Sequence, residues 1–305
     1  MQVGALRIYP EKGARGLDLD RVASEPEGLA GDRRWMIVDE ANCFVSQREL
    51  HALALLDAQP DADGLHLSFP GIATDREGGE RFVATPDGEE RLAVRIWNDE
   101  VDAALASPAD NAALSRWLGC PLRLVYFDAA SRRTVSRDWV DGNAPVAFGD
   151  GFPLLVATSA SLRELNRRIV TDGGEAVPMN RFRPNLVVDG AEPFVEDGWR
   201  AIRAGDVVFD LVKPCARCVV TTVDQDTGLR SGKEPLATLG RSRRSADPRA
   251  PGALFGWNAV PRGPGINDNG SGVAALLEIA TRLGGSPPVR NAVRFAFWGS
   301  EEDDL

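Results

Sequence analysis

Between residues 61 and 100 the chain carries three short apolar runs, LHLSF, RFVATP and LAVRIW, each cut off by Gly, Pro or Asp. Runs this short cannot close the several turns a stable helix needs. Their spacing predicts antiparallel strands that close into a barrel or a sandwich. The same texture recurs elsewhere. QVGALRIYP (2–10), RWMIVD (34–39), LRLVYF (122–127), NLVVDG (185–190) and VVFDLVKP (207–214) all read as strands.

Two helices interrupt this pattern. PADNAALSRWL (108–118) has Ser107 as a cap and Gly119 as a stop. A second starts near Ser159 or Ser161 and sets Leu162, Leu165 and Ile169 on one face. Residues 240–252, GRSRRSADPRAPG, read as a polar surface loop. After Gly263 the texture changes. Residues 271–283 read as a helix, and AVRFAFWG (292–299) as a strand buried on both faces, a pattern of α/β proteins. The expected fold is therefore α+β and mainly β. Two β-barrel-like domains with appended helices, 1–120 and 121–263, precede an incomplete α/β fragment, 264–305.

A length of 305 residues accommodates this division, with 43% hydrophobic and 26% charged residues as in globular domains. No run approaches the roughly 20 apolar residues that span a bilayer. The N-terminus reads as a strand and not as a secretory signal, so a cytoplasmic protein without membrane attachment is the default. A net charge of −10 argues against broad nucleic-acid binding, though not against a small anion held by local charge.

The four cysteines are too few for a disulfide scaffold. Two of them form Cys215-x-x-Cys218, just after a strand that ends in Pro214. A thiolate suits a soft metal, and Arg217 and Lys213 would favour the ionised form of a neighbouring thiol. Three other readings stand beside this one. A structural zinc half-site needs two more ligands, and Cys43, Cys120, His51 and His66 form no second pair. A thioredoxin-like dithiol opens a helix, whereas Val219, Val220, Thr221 and Thr222 are poor helix formers. The pair could equally be two inert buried thiols.

The string CARCVVTTVDQDTG, followed by KEPLATL (233–239), resembles the cofactor segment of MOSC-domain proteins. So do IYPEK (8–12), GLAGDRRW (28–35), SASLRELN (159–166), NRFRPNLVV (180–188) and FGWNAV (255–260), in the family's order. The resemblance covers residues 1–263. It implies a MOSC N-terminal barrel followed by a MOSC domain whose final strand is missing.

The resemblance also implies a molybdopterin-type molybdenum cofactor, with Cys218 as metal ligand and Cys215 as a companion of uncertain role. Pyridoxal phosphate binding is a further description such a family carries. Lys12, Arg33 or Arg34, Thr158, Ser159, Arg183 and Asn185 fall in matched motifs and are the implied phosphate contacts, aided by a helix N-terminus at Thr158–Ser159. Gly13 departs from the family, which often has Ser there. The implied reaction is two-electron reduction of an N-hydroxylated small molecule. Asp224 is a candidate for proton delivery beside its role as a turn residue in DQDTG. No cysteine follows Cys218, so electrons would come from a separate donor protein, ferredoxin-like or a cytochrome with its reductase. A non-catalytic carrier of the cofactor or of sulfur is the first alternative.

The tail resembles another family. GPGINDNGSGVAALLEIA (263–280) and FAFWGSEED (295–303) are similar to two motifs of di-zinc aminopeptidases, which maps Asp268, Glu301 and Glu302 to a vestigial zinc site. The upstream His-x-Asp and the downstream ligands of that family are missing, so zinc and peptidase activity are not expected. The change of identity near PRGPG (261–265) implies a chimeric C-terminus.

Overall fold

A computed structural model describes residues 1–70, 79–230 and 232–262, together with the backbone of 275–276. Its strands fall into four sheets. The largest has seven strands in the order 201–204, 207–217, 253–261, 154–158, 186–189, 2–8, 17–18. A second has four, in the order 35–38, 123–126, 99–105, 91–96. Two three-stranded sheets complete the set. The fold is α+β and mainly β, as expected. None of these sheets closes into a barrel.

The three apolar runs of 61–100 do form strands, at Gly64–Ser68, Glu80–Ala84 and Arg91–Ile96. They do not share one sheet. The first two pair with Asp57–Pro60, while Arg91–Ile96 pairs with Asp99–Leu105. Alternation reports that a strand has one buried face. It does not report which partner the strand takes.

Helix α1, Pro108–Leu118, begins and ends where its caps dictate. The Ser107 side chain accepts from the Asp110 N–H, and Gly119 closes the helix in the left-handed conformation, φ 75°. Helix α2, Ser159–Thr171, buries Leu165 and Ile169 against Phe182, Leu239 and Phe255. It links two parallel neighbours, Leu154–Thr158 and Leu186–Asp189, as a parallel pair requires. Helix α3, Leu236–Ser242, occupies the start of the segment read as a loop.

Sheets and sequence halves do not coincide. Gln2–Ile8 pairs antiparallel with Leu186–Asp189 in the seven-stranded sheet. Arg123–Tyr126 pairs with Trp35–Val38 in the four-stranded one. The division at 120/121 thus runs across both sheets. Ala253–Pro261 is no edge strand, because it lies between 207–217 and 154–158.

Of the helix expected at 271–283, only Ala275–Leu276 is described. It is a two-residue strand antiparallel to Ala23–Glu25, so the helical reading fails there. The strand at 292–299 and the acidic motif residues Asp268, Glu301 and Glu302 lie outside the described residues.

Candidate functional site

The strand Val207–Arg217 carries the two thiols towards their site. Its pairing with Ala253–Pro261 shifts register twice, between Leu211 and Lys213 and between Pro214 and Ala216. Such irregularities turn side chains away from strict alternation. Here they bracket Lys213, Pro214 and Cys215, and Pro214 has no N–H to give to the ladder. The strand ends at Arg217. Cys218 then sits, extended, as the residue before a 3₁₀ turn, Val219–Thr222. The four residues judged too poor for an α-helix form this shorter turn instead.

Lys213, Cys215, Arg217 and Cys218 line a cleft of about 650 Å³. Its other walls come from Lys12–Gly13 and Arg33, from Phe44–Arg48, from the hairpin tip Trp97–Asp99 and from Arg183 and Asn185. The two thiols differ in their surroundings. Cys215 Sγ accepts from Arg217 Nη1 at 2.8 Å. Among the described residues Cys218 makes no side-chain hydrogen bond, and both cysteines are free and half-buried.

The basic residues singled out by sequence gather here, but much of their capacity is spent internally. Lys12 Nζ donates to Phe148 O at 2.9 Å and to the Asp150 carboxylate. Burial lowers its pKa, against the pull of Asp150. Arg33 donates to Asp32 and to Asn185 Oδ1. Arg183 donates to Ala14 O at 2.6 Å and Lys12 O at 2.9 Å. Both guanidinium groups lie over the buried Tyr9 ring, at 4.6 and 4.1 Å. Burial brings the Arg183 pKa down to about 10, with Arg33 adding to the effect and Tyr9 opposing it. Each guanidinium has five N–H groups, so Arg33 and Arg183 keep donors beyond these bonds.

Asn185 is fully buried. Its Oδ1 accepts from Leu155 N and its Nδ2 donates to Arg7 O, which pins the first strand to the sheet.

Glu11, also fully buried, shapes the same loop by accepting from Gly13 N at 2.7 Å and Ile37 N at 3.1 Å. Burial pushes its pKa up to about 7, only partly countered by those two bonds. A Cβ on Gly13 would come within 2.8 Å of Leu53 Cδ1, so the space that a serine would need is filled by a core leucine.

Three expected contacts lie elsewhere. Thr158 and Ser159 are not in the cleft lining. Thr158 Oγ1 accepts from Ser161 N and meets the buried Glu196 carboxylate, so a protein carboxylate already sits beside this helix N-terminus. Ser159 Oγ accepts from Arg163. Asp224 also lies outside the cleft lining. One of its oxygens accepts from Asp226 N and Thr227 N, the other from Arg181. Burial would raise its pKa, but these bonds outweigh burial and hold it below the usual range. That favours the turn role over proton delivery. Arg34, the neighbour of Arg33, points away to Glu25 at 2.6 Å.

Sequence reasoning missed the cleft's aromatic walls. Trp97 occupies the first position of a two-residue hairpin loop, with φ 56°. A left-handed tryptophan costs roughly 1–2 kcal/mol in place of glycine. It packs on Phe44 at 4.8 Å, and Arg48 covers it at 4.4 Å. The string IWNDE between two apolar runs was the available signal.

The cleft fits a cofactor that needs a thiolate, positive charge and room. Among the described residues, Arg217 Nε is buried on this wall without a hydrogen-bond partner, and the Cys218 sulfur makes no hydrogen bond. Among the described residues no group of three His, Cys, Asp or Glu could hold a metal ion by itself.

The family matches make this a MOSC protein. The MOSC N-terminal beta barrel domain matches residues 1–121 and the MOSC domain residues 143–271. The chain belongs to the family of the amidoxime-reducing components. It is 31% identical over 287 residues to the human mitochondrial amidoxime-reducing component 1, covering 90% of this chain and 82% of that protein. It is 33% identical to the mouse protein, over 83% and 74%, and 34% identical to rat mitochondrial amidoxime reducing component 2, over 81% and 74%.

A solution structure from Bordetella bronchiseptica aligns with 34% of this chain and 86% of that one at TM-score 0.26 and 17% identity, too slight a likeness to bear on the fold. Peptidase family M28 matches residues 256–305. Its first six residues, 256–261, are part of the central strand Ala253–Pro261.

The expectation of a cytoplasmic protein is overturned. The relatives are named mitochondrial, and a strand-like N-terminus has no bearing on compartment. Among the described residues no helix is long and apolar enough to cross a membrane.

Proposed function

We propose that this cleft holds a molybdopterin-type molybdenum cofactor through the Cys218 thiolate and that the protein reduces N-hydroxylated small molecules. The observation that carries this reading is the contrast between the two thiols. Among the described residues Cys218 has no competing hydrogen bond, while Cys215 is engaged by Arg217. The relatives named amidoxime-reducing components supply the class of substrate.

When bound, the cofactor would supply a metal that passes two electrons to the N–O bond; with two protons the products are the N–H compound and water. This chain's residues supply the rest. Arg33, Arg183 and Lys12 present positive charge to a phosphate group from rigid positions, because each is anchored at the same time to carbonyls or carboxylates of its own fold. Arg217 stays on the Cys215 sulfur and so leaves Cys218 to the metal. The aromatic walls narrow the cleft and exclude water beside the reacting group. Electrons come from a separate donor protein.

The test pairs two variants. Cys218→Ala is expected to lose bound molybdenum and reduction of a model amidoxime. Cys215→Ala is expected to keep both within a few-fold. Equal molybdenum in Cys218→Ala and the native protein, or zinc near two per chain, overturns the reading.

A further inference from the structure

Four of the eight cations on the cysteine cleft are paired with carboxylates of the fold. Arg133 donates to Asp99 at 2.7 Å, and Arg249 pairs with Asp247 at 2.8 Å. Lys12 and Arg33 complete the four; Arg183 is held by two backbone carbonyls, and Arg217 by the Cys215 sulfur and the Phe182 carbonyl. Two others differ. Among the described residues, neither Arg48 nor Lys213 forms a salt bridge or a side-chain hydrogen bond. Arg48 lies within electrostatic reach of Asp150, but that carboxylate is bonded to Lys12.

Each instead rests on aromatic rings of the cleft. The Arg48 guanidinium is 4.4 Å from the Trp97 centroid, and Lys213 Nζ is 4.9 Å from Trp139 and 5.6 Å from Phe152. All five residues line the same cleft and are half-buried or exposed. An aromatic face stabilises a cation without using its N–H donors. Two half-desolvated charges with donors to spare, set on flat apolar walls, fit a planar ring that carries an anionic group.

We propose that Arg48 and Lys213 make the cleft selective for N-hydroxylated aromatic compounds that bear an acidic substituent, a carboxylate or a phosphate. The proposal rests on the reductase reading above for the N-hydroxyl group. It rests on the two cations alone for the acid. The phosphate of a bound cofactor has the same chemistry, and the test separates the two sources.

The holoenzyme is compared with Arg48→Met and Lys213→Met, which keep an apolar stem over the rings. Benzamidoxime and its 4-carboxy derivative serve as substrates. The ratio of kcat/KM for the acid over the neutral compound is expected to exceed ten in the native protein and to fall about tenfold in each variant, through KM, with molybdenum per chain retained. A ratio near one in the native protein overturns the proposal. So does loss of molybdenum in the variants, which would give the two cations to the cofactor's phosphate.

Calorimetric binding of 4-carboxybenzamide against benzamide reads the same site without turnover. Preference for the acid, lost in both variants, upholds the anion site even where no substrate is reduced and the reductase reading alone fails. Equal binding of the two compounds overturns the proposal in either case.

Discussion

Two clefts of similar size flank the Arg33–Arg34 step. One, of about 650 Å³, takes Arg33 and the two thiols; the other, of about 720 Å³, takes Arg34 with Trp35, Tyr126 and Asp128. Arg133 borders both. By volume the two look alike, but the first is lined by eight Lys and Arg against three Asp, the second by three Arg against four Asp and Glu. They differ also in what is left over. In the second cleft Arg34 pairs with Glu25 and Glu27, and Arg132 donates to Ala129 and Ser131 carbonyls. In the first, among the described residues, a thiol and two cations, Arg48 and Lys213, make no side-chain hydrogen bond at all. A cavity becomes a candidate site through unspent donors and acceptors, not through volume alone.

The largest effect that would sharpen this contrast is at Cys218. Its replacement by Ala should lower amidoxime reduction by at least a hundredfold, read by steady-state turnover alongside metal analysis. Arg183→Met comes next. It strips charged hydrogen bonds from two buried carbonyls, Ala14 O and Lys12 O, and should cost about 3 kcal/mol. Denaturant unfolding measures this, and a change under 1 kcal/mol would mean that the loop does not depend on that guanidinium.

Glu11 gives a pH signature. Its carboxyl titrates at about 7 in the fold against 4.5 when exposed. The folded state therefore holds a proton that the unfolded chain has lost. This group's contribution is most favourable below pH 4.5, declines as pH rises towards 7, and is constant above. The whole change is on the order of 3 kcal/mol. The stability gap between the native protein and Glu11→Gln should move with pH across that window and not beyond it; a gap independent of pH refutes the assignment. The smallest effect belongs to the second cleft. Arg34→Ala should change stability by under about 1 kcal/mol, as for partly exposed ion pairs, and leave turnover as it was. A large loss of activity there would erase the distinction between the clefts.

Much of this architecture was legible in the residues. The caps of α1 are written in Ser107 and Gly119, and the strands at 35–38, 123–126 and 186–189 each lie within one residue of the apolar runs that announced them. Those are local signals, carried by spacing and by turn chemistry. Partnership between distant segments was not legible. Apart from the weak turn string IWNDE, nothing in the sequence says that LAVRIW pairs with Asp99–Leu105 rather than with the neighbouring RFVATP. The site divides in the same way. Position within the MOSC-like motifs, and not residue type alone, marked Cys218, Arg33 and Arg183. Arg48 and Lys213 matter for the partners that they lack, and a missing partner is visible only in three dimensions. Thr158 shows the converse: a hydroxyl before a helix suggested an anion from outside, while the fold supplied Glu196.

The first strand, Gln2–Ile8, is hydrogen-bonded to Leu186–Asp189 and tied again by Asn185 Nδ2 to Arg7 O and by the Tyr9 hydroxyl to Pro184 O. During synthesis this strand leaves the ribosome nearly two hundred residues before its partner exists. Among the described residues its only earlier strand partner is the two-residue strand Leu17–Asp18. Folding therefore cannot proceed as one finished half followed by the other. The amino-terminal segment must wait, its edge open, until the later sheet is made, and a fragment ending at residue 121 would keep that edge exposed for good.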